Sequence, residues 1–192
     1  MNLINDSIFF LNSEETAFLL VDVQESLMKA VQERDKIETN MKLLLRLAQI
    51  IGIPVTVTTQ NASRLGPIID SLTNLLLKEQ KIYDKLVFSC LRVKPVLEEI
   101  QSKKTVVLFG VEAHICIFQT AMQALSAGYN VIVVSDAVSS RVIENKEAGL
   151  QRLREVGVIL YSTEMVIYEL LGEAGTDDFR AMLPYLKDNT KA

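Results

Sequence analysis

The 192-residue chain has one histidine, no tryptophan, two cysteines and four prolines. With His114 alone, a zinc site of several imidazoles cannot form, and Cys90, His114 and Cys116 supply at most three soft ligands. Two cysteines make no disulfide framework, which points to a reducing compartment. Positive charge is not in excess. Twenty Lys and Arg against 24 Asp and Glu leave a net charge of −4, which offers no attractive field to nucleic acid or anionic lipid. No apolar run approaches the roughly 20 residues of a membrane span. The opening MNLINDSIFFLNSEE has neither a basic leader nor an apolar stretch of secretory length. The expectation is a cytoplasmic protein with no nucleic-acid or membrane partner. Linkers, repeats and low-complexity tracts are missing as well, so residues 1–192 read as one domain.

What is present is an alternation of short β-branched runs with segments of helical period. Residues 17–23 (AFLLVDV) form a continuous apolar run, as in a strand buried on both faces. Residues 35–51 follow with apolar side chains at helical spacing, and Gly52 stops them. Further strands are expected at 55–59, 81–84, 105–109, 131–135 and 158–161. Helices are expected at 68–78, 95–102, 114–127, 144–156, 164–171 and 177–186, with a loop at 61–67. Six strands alternating with helices predict a three-layer α/β sandwich around a mainly parallel sheet, because parallel neighbours need crossover connections.

In such a sheet the ligand crevice lies beyond the carboxyl ends of the strands, and this filters the polar residues. Asp22 ends the first strand within an apolar LLVDVQ run, where a carboxylate needs a partner; a helix cap or a structural ion pair would also explain it. Lys85 follows the short third strand in YDKLVFSC, and a solvated loop lysine is the plain alternative. Cys116 lies six residues beyond Gly110, in the first turn of the next helix. Free N–H groups and the helix dipole favour a thiolate there, although free cysteines commonly serve as small buried hydrophobes. His114 does not pair with Cys116 if both are helical, since residues two apart point about 200° from one another; it reads as a rim or surface residue. Cys90 reads as packing or crevice lining. Phosphate-binding glycine patterns and the Gly-x-Ser-x-Gly elbow do not occur.

At LLVDVQ, YDKLVFSC and LFGVEAHICIFQTAMQALSAGYNVIVVSDAVSSR the chain resembles the isochorismatase-like cysteine hydrolases, over roughly residues 16–171. STEMVIYELLGEAGTDDF looks most like the isochorismatase-domain-containing proteins of unknown substrate. The resemblance implies a Rossmann-like sheet of six parallel strands and an Asp-Lys-Cys triad at Asp22, Lys85 and Cys116. It also implies a cis peptide bond between Val111 and Glu112, and a homo-oligomer. Two departures stand out. Where nicotinamidases carry metal-binding Asp-x-His this chain reads TTQNASRLGP, so no metal or other cofactor is expected. Isochorismatases of siderophore synthesis often have glycine where Cys116 stands.

The leading expectation is therefore hydrolysis of a small amide or related C–N bond through a thioester, with a small molecule as partner. Asp22 would take the proton of Cys116, Lys85 would hold Asp22, and the backbone N–H groups of Glu112 and Cys116 would bind the oxyanion. Gln60, Phe88, Cys90, Leu91 and Ile115 would form the pocket wall. The alternatives are vinyl-ether hydrolysis and a non-catalytic interaction protein that keeps the fold.

Overall fold

The computed structural model describes residues 10–189, with side chains to residue 187. The leader-free reading of residues 1–9 and the outermost ends of the 1–192 domain lie outside the described residues. Six strands form one sheet: β1 (Thr16–Val21), β2 (Val55–Gln60), β3 (Ile82–Lys85), β4 (Thr105–Val111), β5 (Asn130–Ser139) and β6 (Ile159–Tyr161). Their order is β3-β2-β1-β4-β5-β6, and every neighbouring pair is parallel. The chain moves outward from β1 to β3, then returns to add β4 on the other side. The crevice of such a sheet opens where that reversal occurs, between the carboxyl ends of β1 and β4.

Alternation along the strands feeds two apolar layers. Phe18 and Leu20 of β1 join Val107, Phe109 and Val111 of β4 on one face, where the Phe18 and Phe109 rings meet edge to face at 5.7 Å. That face is covered by α2 (Arg34–Ile51), α8 (Thr163–Leu171) and α9 (Asp177–Asn189), through residues such as Leu44, Ile167 and Met182. Ala17, Leu19 and Val21 point the other way, with Val106 and Leu108. There α5 (Lys94–Ile100), α6 (Phe118–Ser126) and α7 (Ile143–Glu155) supply Val96, Ala121 and Leu153. Covered on both faces, β1 is buried along its whole length, which is why its sequence shows no polar alternation.

Several elements differ from expectation. The helix expected at 68–78 is reduced to one turn, α4 (Asp70–Thr73). Thr73 turns its hydroxyl back onto the Ile69 carbonyl, and Leu75 and Leu76 close three-residue turns, so Leu72 and Leu75 are buried without a continuous helix. Two short helices, α1 (Glu25–Ala30) and α3 (Ala62–Leu65), were not expected; each is too short to show a period, and α3 lies inside the expected 61–67 loop. β5 is longer than the expected 131–135, because it continues to Ser139 through a register shift against β4. The helix expected at 114–127 begins as a π-helical turn, Ala113–Ile117, closed by Ile117 N–H to the Glu112 carbonyl, before α6 starts.

Candidate active site

The site grows from the end of β1. Val21 pairs with Thr58 of β2 and with Gly110 of β4, so the residue after Val21 enters the gap between those strands. Gly110 permits this approach. Its φ is +125°, and a Cβ on it would lie 2.1 Å from the Val21 carbonyl oxygen. Asp22 itself takes a positive φ of 55°, leaving the strand at once. Its carboxylate is fully buried and accepts a hydrogen bond from the Thr58 hydroxyl at 2.8 Å.

Lys85 reaches the same carboxylate from β3, two strands and about 10 Å away at ordinary strand spacing, a span only a long side chain covers. Its Nζ lies 2.6 Å from Asp22 Oδ2, 2.8 Å from Gln60 Oε1 and 3.6 Å from Cys116 Sγ. Both side chains of the Asp22–Lys85 pair are excluded from solvent. Burial works against the ammonium, but the Asp22 charge, then the two neighbouring sulfurs and the hydrogen bond to Asp22, outweigh it and hold the Lys85 pKa above its ordinary value.

Cys116 belongs to the π-helical turn and is buried. The expectation that a helix start favours its thiolate is corrected here. Burial, then the adjacent Asp22 charge, push the thiol well above its ordinary range, and Lys85 only partly opposes them. The thiol thus sits beside the buried Asp22–Lys85 pair, with Lys85 Nζ as its near neighbour.

Cys90 does not stand on the crevice wall. The turn at Cys90–Arg92 carries it inward, where it is fully buried, its Sγ 3.5 Å from the Thr58 hydroxyl and its N–H bonded to Thr120. Burial and then the Asp22 charge raise its pKa to about 11. Leu91, on the same turn, packs into the core beside it. Phe88 is about half exposed, and Ile115 and Gln60 are half-buried, so these three remain near the surface. His114 is half-buried with Nδ1 2.9 Å from the Ser140 hydroxyl, and it does not meet Cys116.

The peptide bond between Val111 and Glu112 is cis. Glu112 is no solvated charge: its buried carboxylate accepts from the Arg141 backbone N–H at 2.9 Å and from Arg141 Nε at 3.1 Å. Three participants escaped the sequence reading: Thr58, Gln24 and Arg141. Gln24 is fully buried two residues after Asp22, accepting from the Gln60 N–H and donating to the Gly66 carbonyl, each at 2.7 Å. Thr58 is hidden by ordinary strand composition, since threonine suits any β-strand. Among the described residues no group of three or more His, Cys, Asp or Glu side chains is arranged to hold a metal ion.

This sheet order, with both faces covered by helices, defines an α/β protein of the isochorismatase-like hydrolase fold. The isochorismatase domain model matches residues 16–165, and the chain belongs to the isochorismatase family. It is 32% identical over 183 residues to the secreted isochorismatase effector Isc1 of Phytophthora sojae, covering 92% of this chain and 86% of that protein. The structure of the MAR1 ribonuclease from Caenorhabditis elegans superposes with a TM-score of 0.90 at 30% identity, covering 93% of each chain. The YcaC gene product of Escherichia coli, described as an octameric hydrolase of unknown specificity, shares the fold at a TM-score of 0.85 and 23% identity, covering 96% of each chain.

Proposed function

We propose that the protein is a cysteine hydrolase that cleaves a small amide or related C–N bond through a thioester on Cys116. The observation that carries this reading is the burial of Asp22, Lys85 and Cys116 together, with Lys85 Nζ 2.6 Å from the carboxylate and 3.6 Å from the sulfur. A carboxylate adjoining a neutral thiol is placed to act as its base. Asp22 takes the Cys116 proton as sulfur attacks the carbonyl carbon, and the resulting oxyanion is held by the backbone N–H groups of Glu112 and Cys116. Collapse breaks the C–N bond, and the departing amine takes the proton from Asp22. Asp22 then removes a proton from water as it attacks the thioester, which releases the acid and restores the thiol. Lys85 stays cationic throughout and limits the charge that Asp22 would otherwise bring to the sulfur.

Phe88 and Ile115 line the approach for a compact substrate, with Gln60 at its edge. The reading needs no metal and no cofactor. The protein acts as a homo-oligomer, a reading supported by the octameric YcaC relative, and its two unpaired cysteines favour the cytoplasm. Among the described residues no helix is long and apolar enough to cross a membrane. A panel of small amides, ureides and one vinyl ether, assayed with wild type and Cys116→Ala, tests the proposal. Amide turnover lost in Cys116→Ala supports it; vinyl-ether turnover retained in Cys116→Ala defeats it. An RNA oligonucleotide belongs in the panel because the C. elegans relative is described as a ribonuclease. RNA cleavage surviving Cys116→Ala would replace the amide reading, although a net charge of −4 gives RNA no electrostatic attraction.

A further inference from the structure

Gln60 lies beside the buried charges and Gln24 beside Gln60, and every polar atom of their two amides has a partner. Gln60 Nε2 donates to the Leu86 carbonyl at 3.1 Å, while its Oε1 accepts from Lys85 at 2.8 Å and faces Cys116 Sγ at 4.0 Å. The opposite orientation of this amide would set an NH₂ against an ammonium and an oxygen against a carbonyl oxygen, so the chemistry of the neighbours dictates which end faces Lys85. Gln24 in turn holds the Gln60 backbone N–H and ties it to the Gly66 carbonyl. Gln60 and Lys85 are register partners on β2 and β3, so holding the backbone of one sets the height of the other.

The ammonium of Lys85 has three N–H bonds and three acceptors: Asp22 Oδ2, Gln60 Oε1 and Cys116 Sγ. Asp22 pulls it toward the interior. Gln60 Oε1 and Cys116 Sγ sit close to one another, so the Gln60 oxygen draws the ammonium back toward the thiol.

We propose that Gln24 and Gln60 form a two-amide clamp that aims Lys85 at Cys116, and that both are positioning residues for the nucleophile. Gln60 thereby acts through Lys85 rather than as a substrate hydrogen-bond donor, and Lys85 has no N–H left over for substrate. The clamp rests on the reading of Cys116 as nucleophile, but its test needs no substrate, so failure of the amide panel and failure of the clamp are separate results.

The measurement is the pH dependence of iodoacetamide alkylation at Cys116, followed by peptide mass spectrometry so that Cys90 is read apart. Gln60→Met keeps the length and removes the acceptor; the ammonium then settles on Asp22 and its help to the thiolate weakens. The alkylation midpoint should move up by about one pH unit, which is tenfold slower reaction at a fixed pH on the rising limb. Gln24→Met should move it in the same direction by less. A midpoint that stays put or falls in Gln60→Met overturns the clamp. A Gln24→Met protein with a lower melting temperature and an unmoved midpoint shows that Gln24 only braces the 61–67 segment, which also overturns the two-residue proposal. Should Gln24→Met fail to fold, Gln60→Met decides alone.

Discussion

Strand β1 carries a lysine–carboxylate pair at each of its ends, and the two are opposites. At the amino end Glu15 meets Lys104, which immediately precedes β4, with side chains 43% and 70% exposed. At the carboxyl end Asp22 meets Lys85 with both side chains at 0%. The outer pair follows a backbone bond that already joins the segments, Lys104 N–H to the Glu15 carbonyl, so it decorates a contact made by other means. The inner pair spans two strands and takes two ions out of water, a cost that the attraction alone does not reliably offset. Stability would be served as well by apolar side chains of the same shape. That the costly arrangement occurs at the sheet's switch point, beside a cysteine, is what supports the proposal that this end is the working one.

The largest contrast between the two ends should be in activity. Cys116→Ala should lower turnover of an amide identified by the panel by on the order of 10³-fold or more, with the circular dichroism spectrum unchanged. No substitution at Glu15 or Lys104 should change turnover by more than about twofold. Turnover that survives Cys116→Ala would remove the mechanistic meaning of the buried end.

Stability should separate the ends nearly as well. Lys85→Met strands Asp22 without its counter-charge in a buried site, so urea unfolding should show a loss of about 3–5 kcal/mol. Asp22→Asn combined with Lys85→Met should recover part of that loss, because no lone charge then remains. Gly110→Ala tests the close approach that opens the site. With a Cβ 2.1 Å from the Val21 oxygen at φ +125°, either β1 or β4 must shift, at about 1–3 kcal/mol or more.

The pH dependence has a definite sign. Lys85 is held above its ordinary value in the folded protein, so its contribution to stability is complete below the ordinary lysine pKa of 10.5. That contribution is lost as pH climbs through the higher folded value. Wild type should therefore lose stability more steeply than Lys85→Met across the alkaline range above 10.5, as read by urea midpoints at successive pH values. Parallel curves would mean that the buried pair is not coupled to folding.

How much of this was open to a reader of the sequence depends on the periods involved. β1 and α2 were legible because a fully buried strand and an 18-residue amphipathic helix each leave a long, unambiguous pattern. Asp22 was visible as a charge inside such a pattern, and Lys85 and Cys116 by their places at strand ends. The 68–78 segment misled because Ile68, Ile69, Leu72 and Leu75 are buried by successive turns, which leaves the same spacing as a helix face. The π-helical turn that carries Cys116 differs from an α-helix by one hydrogen-bond step, which no side-chain period reports. Gln24 and Gln60 were hard to read for another reason. Their roles depend on strand order and register, and β1, β2 and β3 become neighbours only in the folded sheet. Which of the two readings of Cys90 holds was hidden in the same way, since sequence proximity to Lys85 says nothing about which way the turn at Cys90–Arg92 points.

The smallest effect belongs to the exposed pair, and its smallness is the point. Lys104→Met removes a charge whose side chain is 70% exposed, so water and salt already compete with Glu15 for it. The backbone bond from residue 104 to Glu15 survives the substitution, as does the start of β4 pairing, where Thr105 faces Thr16. The expected loss is below about 1 kcal/mol, and it should shrink further between 0.05 and 0.5 M salt as the Debye length contracts from roughly 14 Å to 4 Å. The Lys85→Met loss should hardly respond to the same change, because salt does not reach a pair with no exposed surface. Equal salt sensitivity at the two positions would show that solvent enters the Asp22–Lys85 site freely, and the distinction between the two ends of β1 would have to be abandoned.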